Sequence, residues 1–284
     1  MVEIISSAEN PLIKQIRMLA SRKHRQRTST FLVEGIGPVW QAVDGAADIE
    51  VLLAAPALLA GSPARDLLAE QQRRGTPVVF LTNELFLRLS TRDRPAGLAA
   101  VVRKPETTMD DVAVGPESLF VALHLIGNPG NLGTIIRTAV SAGVGAVLLI
   151  GPTADPYSPA AVKASMGAIF SIPVVPLPDA AAFFQWAREH GIRVVTTSPA
   201  ATESHWTVNY PLPAALLLGS ERDGLPAELV VAGDQQVRIP MMGGADSLNA
   251  AIAAGIMLYE MRRRHPPAGW NSSTPPALPV RGHR

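Results

Sequence analysis

The chain contains no cysteine, which excludes disulfides, thiolate metal sites and a cysteine nucleophile. Aromatic residues make up 5% and charged residues 17% of its 284 positions, against 47% hydrophobic ones. That balance excludes a disordered chain and leaves room for two packed domains. Long apolar runs are missing too. Each is broken by proline, glycine or charge well short of about 18 residues, so no membrane span is expected. The first residues, with Glu3, Glu9 and Asn10, lack the apolar core of a secretion signal, and a cytoplasmic location fits. Several catalytic signatures are absent. Gly127, Gly130 and Gly133 do not form G-x-G-x-x-G, and there is no P-loop, H-E-x-x-H or G-x-S-x-G. His24, His124, His190, His205, His265 and His283 are scattered without ligand spacing, so no metal is expected.

The formal net charge of +1 hides an uneven distribution. Lys14, Arg17, Arg22, Lys23, Arg25 and Arg27, with His24 among them, fall in one stretch that holds no acid. Such a cluster can grip a polyanion through several phosphates, and Arg22, Lys23, Arg25 and Arg27 are the candidate RNA contacts. A solvated helix end is the ordinary alternative. The run leads into the apolar strand signal Phe31-Leu32-Val33, so it sits on an ordered scaffold.

Helix and strand signals alternate throughout, which implies α/β architecture. Helices are expected over 10–20, 36–43, 64–74 and 83–89, with strands over 31–34, 49–55, 77–82 and 97–103. This unit, residues 1–103, is followed by a polar linker, 104–117, carrying Pro105, Thr107, Asp110, Asp111 and Pro116. A second unit, residues 118–265, opens with a buried strand over 119–126. Next comes a helix whose expected N-cap is Asn131 and whose stop is Gly143. Strands follow over 146–150, 172–177, 193–197, 214–218 and 236–241, with helices over 158–168 and 179–190. Ser247 is the expected cap of a last helix reaching Arg264. The tail, 266–284, is rich in Pro, Ser and Gly and is expected to be disordered.

Three polar loops follow apolar strands: Asn128 to Asn131, Gly219 to Gly224, and Gly243 to Asn249. In one α/β sheet they converge on a crevice at the strand ends, where ligands bind. Gly219, Gly224, Gly243 and Gly244 allow close approach of backbone to a ligand. Arg137 stands off the apolar stripe of its helix as a fixed cation beside the first loop. Ordinary readings stay open: Ser247 as a cap alone, Glu221 paired with a surface cation, Asn249 bonded to backbone.

Taken in order, NPGNLGTIIRTA, LLLGSERDGLP and IPMMGGADSLNAAIAAGIMLYE resemble the three motifs of the SpoU/TrmH branch of the SPOUT methyltransferases. AVKASMGAIFSIPV lies between the first two. These enzymes transfer a methyl group from S-adenosylmethionine to a ribose 2′-hydroxyl in RNA. NPLIKQIRML, the basic run and FLVEG are similar to the small RNA-binding domain, of the ribosomal-protein-L30e type, that precedes many ribosomal-RNA members. The resemblance implies a trefoil knot in the C-terminal domain and a homodimer with the site at its interface. It implies S-adenosylmethionine as cofactor and RNA as substrate, 23S ribosomal RNA ahead of transfer RNA. A non-catalytic RNA-binding protein on the same fold is one remaining alternative; a small-molecule enzyme that uses a nucleotide in the same crevice is a weaker one, since it leaves the cluster from Lys14 to Arg27 unexplained. By the match, Asn131, Arg137, Glu221, Ser247 and Asn249 fall on catalytic and RNA-contacting positions. Gly219, Ile239 and Leu248 fall on cofactor-binding ones. His124, Ala245 and Arg222 depart from the common pattern, outside that set.

Overall fold

The structure, a computed structural model, describes residues 4–92, 94–244 and 247–266. The tail expected to be disordered lies, after Pro266, outside the described residues, as does Ala245. Chain order in the first half is β1 (Ile4–Ile5), α1 (Pro11–Met18), α2 (Arg22–Thr28), β2 (Thr30–Glu34), α3 (Ile36–Asp44), β3 (Ile49–Ala54), α4 (Ala64–Arg73), β4 (Val78–Leu81), α5 (Asn83–Leu89) and β5 (Leu98–Arg103). The sheet runs β1-β4-β3-β5-β2, with β5 antiparallel to both neighbours. Alternation along its strands serves two cores. Phe31, Leu52, Leu98 and Ala100 join Val39 of α3 and Leu67 of α4, whereas Val51, Leu53 and Val101 join Ile13 and Ile16 of α1 and Phe86 of α5.

The second half follows as β6 (Leu119–His124), α6 (Pro129–Ser141), β7 (Ala146–Ile150), α7 (Pro159–Ser165), β8 (Val174–Leu177), α8 (Ala180–Glu189), β9 (Arg193–Thr197), β10 (Glu203–Ser204), β11 (Ala214–Leu218), α9 (Ala227–Ala232), β12 (Gln235–Arg238) and α10 (Ala250–Arg264). Its seven strands are parallel, in the order β10-β12-β9-β11-β6-β7-β8. Helices cover both faces, so the central strands are buried throughout and read as continuous apolar runs. Leu119, Val121, Leu123 and Leu216 pack under Ile135 and Ile136 of α6 and Met257 and Leu258 of α10. Phe120, Ala122 and Leu217 pack under Phe183 and Trp186 of α8. Because every strand points the same way, the loops after β6, β7, β11 and β12 leave from one edge.

The halves share a dry seam. Phe31 of β2 meets Tyr157 at 4.8 Å and Phe170 at 6.0 Å between ring centroids. Val162 of α7 belongs to the same apolar cluster as Phe31 and Leu52. The segment 104–117 is itself anchored. A turn, Met109–Asp111, is closed by a capping box between Thr108 and Asp111, and Val112 is buried against the second sheet.

Local expectations fail at several element ends, four of which bear on the site or its surroundings. α6 starts at Pro129, not after Asn131: Asn128 is the cap, its Oδ1 accepting from the N–H groups of Gly130 and Asn131, and Pro129 occupies the first turn. The last helix is capped by Asn249, whose Oδ1 accepts from Ala251 and Ile252, not by Ser247. The helix expected to 168 ends at Ser165, where Met166 turns left-handed at φ 52°. The last strand ends at Arg238, which leaves Ile239 in the loop beyond it.

Candidate active site

Moving the N-cap to Asn128 frees the side chain of Asn131, and that amide bridges the three loops. Its Nδ2 donates to Glu221 Oε1 at 2.9 Å, and its Oδ1 accepts from Asn249 Nδ2 at 3.0 Å. Glu221 also accepts from the backbone N–H of Asn128 and of Gly127, both at 3.3 Å. Partial desolvation raises the Glu221 pKa. Hydrogen bonds from Asn131 and from the backbone N–H groups of Glu221, Gly127 and Asn128 outweigh it, so the carboxyl is held below its ordinary value. An acceptor so engaged is a poor base and a good clamp.

The loop carrying Glu221 folds on itself. Gly224 donates to the Ser220 carbonyl at 3.1 Å, and Asp223 N–H donates to Ser220 Oγ at 3.1 Å. A Cβ on Gly219 would stand 2.0 Å from the Gly224 carbonyl carbon. Gly219 is therefore required by the closure of this loop. Gly133 has a similar packing role, since a Cβ there would meet the Ala161 carbonyl of α7 at 2.2 Å.

Two cavities flank the loop. One, of about 460 Å³, lies over the ends of β9, β11 and β12 and is lined by Gly219, Ile239 and Leu248 together with Pro199, Leu225 and Met241. The other, open and about 860 Å³, is lined by Asn128, Asn131, Glu221, Ser247 and Asn249. Ser220, Glu221 and Ser247 line both. The first has the size and mixed apolar and backbone lining suited to an adenosine-sized ligand.

Of the sequence-predicted residues, Asn131, Glu221, Ser247 and Asn249 thus stand together, with Gly219, Ile239 and Leu248 next door. Arg137 does not join them. It is exposed on α6, six residues beyond Asn131, which carries it about 9 Å along the axis and round to another face. Arg22, Lys23 and Arg27 are exposed on α2, a helix that the sequence reading missed. Arg25 is a correction. Its side chain is 3% exposed and donates from Nε and Nη2 to Asp155 Oδ2, at 3.0 and 2.6 Å, and from Nη1 to the carbonyls of Leu19 and Ala20. It ties the halves together, with four of its five N–H donors engaged and the side chain buried away from RNA. Asn128, Ser220 and Asp223, which also line the cavities, were not singled out in the sequence. Only their place in the loops marked them. Among the described residues no group of three His, Asp or Glu side chains is placed to hold a metal ion, and no helix is long and apolar enough to cross a membrane.

The profile of the SpoU rRNA Methylase family matches residues 118–259, and that of an MRM3-like substrate binding domain matches residues 10–100. The chain belongs to the SpoU rRNA methylase family. Among SpoU relatives, an AdoMet-bound rRNA methyltransferase from Sinorhizobium meliloti superposes with a TM-score of 0.84 at 36% identity, covering 93% of this chain and 98% of that one. The 23S rRNA (uridine(2479)-2′-O)-methyltransferase of Streptomyces viridochromogenes is 31% identical over 91% of each chain. The 23S rRNA (guanosine(2553)-2′-O)-methyltransferase RlmP of Bacillus subtilis is 30% identical over 91% of this chain and 98% of its own. Two SpoU enzymes at nearly equal identity thus bear names with different bases, so overall similarity does not choose the base.

Proposed function

We propose that the chain transfers the methyl group of S-adenosylmethionine to a ribose 2′-hydroxyl of 23S ribosomal RNA. The observation that carries this is the Asn131 bridge, which seats a donor-sized cavity beside an open polar one. The cofactor supplies an electrophilic methyl sulfonium, and the 2′-oxygen gains the methyl while its proton is released. Gly219, Ile239 and Leu248 hold the cofactor, in part through backbone groups. Glu221, Asn131 and Asn249 keep the loops closed, and Ser247 positions the ribose where the two cavities meet, since alignment is most of what this reaction requires.

Arg137 stays protonated at any working pH and is no base. Its role in this reading is to grip the neighbouring phosphate with both arms of its guanidinium and to favour the developing alkoxide. Exposed as it is on α6, it serves the site of a partner subunit in a homodimer. The α10 surface supports such a dimer: Ile252 and Tyr259, on one side of the helix, are 55% and 54% exposed. Residues 1–103 hold RNA through Arg22, Lys23 and Arg27, in an L30e-like domain, and residues 118–265 carry the chemistry. The trefoil knot belongs to the same reading, with α10 packed against α6. Arg137→Lys tests the arginine: turnover falls about ten- to a hundredfold because an ammonium cannot reproduce the fork. Near-normal turnover would remove the bidentate role.

The deciding experiment incubates the protein with labelled S-adenosylmethionine and, in separate samples, unmodified 23S ribosomal RNA and transfer RNA, then maps 2′-O-methylation by reverse-transcription stops at low nucleotide concentration. A single new stop is the expected result. Label on transfer RNA alone, or on no RNA while the protein still binds RNA, would select the two alternatives in turn.

A further inference from the structure

A third cavity, about 340 Å³, opens on the seam between the halves and takes no part in the site described above. Arg22 and Gln26 of α2 line one wall, Lys104 and Thr107 another, and the loop after β7, with Thr153 and Asp155, the third. Its charges do not balance. Asp155 gives Oδ2 to Arg25 and Oδ1 to the backbone N–H of Tyr157, so both oxygens are taken. Arg22 and Lys104 form no ion pair among the described residues, and Glu106, exposed at the rim, pairs with neither. The Lys104 ammonium instead stands 5.6 Å from the Tyr157 ring centroid. Burial lowers its pKa first of all; Asp155 offsets part of this, while Arg25 and Arg22 add to the lowering. Counting Arg25 behind Asp155, three cations face two carboxylates, of which Asp155 is engaged by Arg25 and Glu106 stands exposed at the rim, at a cleft that also carries neutral hydrogen-bonding side chains. Such a field favours an anion.

The wall of the cleft is also bonded to the wall of the open cavity at Asn131. Leu125, which lines that cavity, donates its N–H to the Ile150 carbonyl, and Ala154, which lines the seam cleft, donates to the Ile126 carbonyl at 2.7 Å. The two walls are thus bonded side by side. Neighbouring strands are about 4.8 Å apart, so a ligand over β7 and β8 lies roughly 10 Å from one over β6 and β11.

We infer that this seam cleft is a phosphodiester subsite, in which Arg22 and Lys104 bind the RNA backbone next to the nucleotide presented for methylation. Gln26, Thr107 and Thr153 supply neutral hydrogen bonds to the same phosphate or its ribose. This assignment rests on the methyltransferase reading, because it takes the open cavity as the target's place. A free small anion would satisfy the charge but would leave unused the neighbouring open cavity and the exposed cations that continue along α2.

The test uses the full chain, unmodified 23S ribosomal RNA and the double substitution Arg22→Ala/Lys104→Ala. RNA affinity is expected to fall on the order of tenfold at 0.1 M salt. The salt dependence should become shallower by about 1.4, two contacts at roughly 0.7 each. Affinity for S-adenosylmethionine by calorimetry stays at the wild-type value. In ethylation interference, a phosphate within a few nucleotides of the methylated ribose blocks binding of the wild type and no longer blocks that of the variant. Unchanged RNA affinity and salt slope, or unchanged interference, overturn the subsite. If the double variant loses its fold, Thr107→Glu decides, since it adds a carboxylate and leaves both cations: weaker RNA binding supports the subsite and unchanged binding overturns it. Absence of methyl transfer by the wild type would instead remove the underlying reading.

Discussion

Asn131 is the residue on which the candidate site turns, because a single planar amide donates to one loop and accepts from another. Its partner Glu221 titrates in a predictable direction. The free carboxyl takes its proton near 4.5, and the folded one does so at lower pH. The stabilisation of the clamp is therefore complete above the free value and lost only as pH falls through the folded one. Affinity for S-adenosylmethionine, followed by calorimetry, should be flat in this respect from pH 8 to about 5 and decline below that. Glu221→Gln should weaken it across the whole range; a decline already between pH 7 and 6 would mean that another group governs the loop. Gly219→Ala makes a second prediction. A methyl group 2.0 Å from the Gly224 backbone cannot be housed without opening the loop. Cofactor affinity should drop roughly ten- to a hundredfold, equivalent to about 1–3 kcal/mol of strain. The thermal midpoint should move little, because the loop lies outside the apolar core.

At the scale of elements, the strands buried on both faces were the most legible. The runs 146–150 and 214–218 are recovered to the residue, since helices on both sides demand apolar side chains at every position; 193–197 is recovered as well, marked by the β-branched run Val194 to Thr197. Helix α2 was not legible. RKHRQRT has no apolar stripe, and what buries the helix is the pairing of Arg25 with a carboxylate 130 residues away, a contact no local pattern announces. The same blindness put Arg25 among the RNA contacts. Helix starts slipped where several cap residues compete: Asn128 against Asn131, and Ser247 against Asn249. The clustering of the three loops was readable from strand-loop order, but the placement of Arg137 away from them was not, because the chemistry of a residue says nothing about which helix face it meets. The Arg25–Asp155 pair also sets a stability prediction. Asp155→Ala leaves a buried guanidinium with no counter-charge and should cost about 3–5 kcal/mol in urea unfolding. A loss below about 1 kcal/mol would mean that the pair contributes as little as an exposed one.

For the whole molecule, the open question of assembly has a direct reading. In the homodimer proposed above, Arg137 of one subunit completes the cavity of the other. Arg137→Ala and Glu221→Ala chains, each inactive alone, should then regain about a quarter of wild-type methylation when co-expressed. Half of the randomly formed dimers are mixed, and each mixed dimer has one intact site of two. Mixtures no more active than their components would place all the catalytic groups within one chain.

The dry seam has a consequence for target choice. With Phe31 stacked on Phe170 and Arg25 locked to Asp155, the basic helix cannot swing independently of the second domain. In the reading proposed above, the enzyme works as a caliper: an RNA is selected by the span between its gripped backbone and the offered sugar. Inserting one unpaired nucleotide into that span should abolish modification even where every base that touches the protein is preserved.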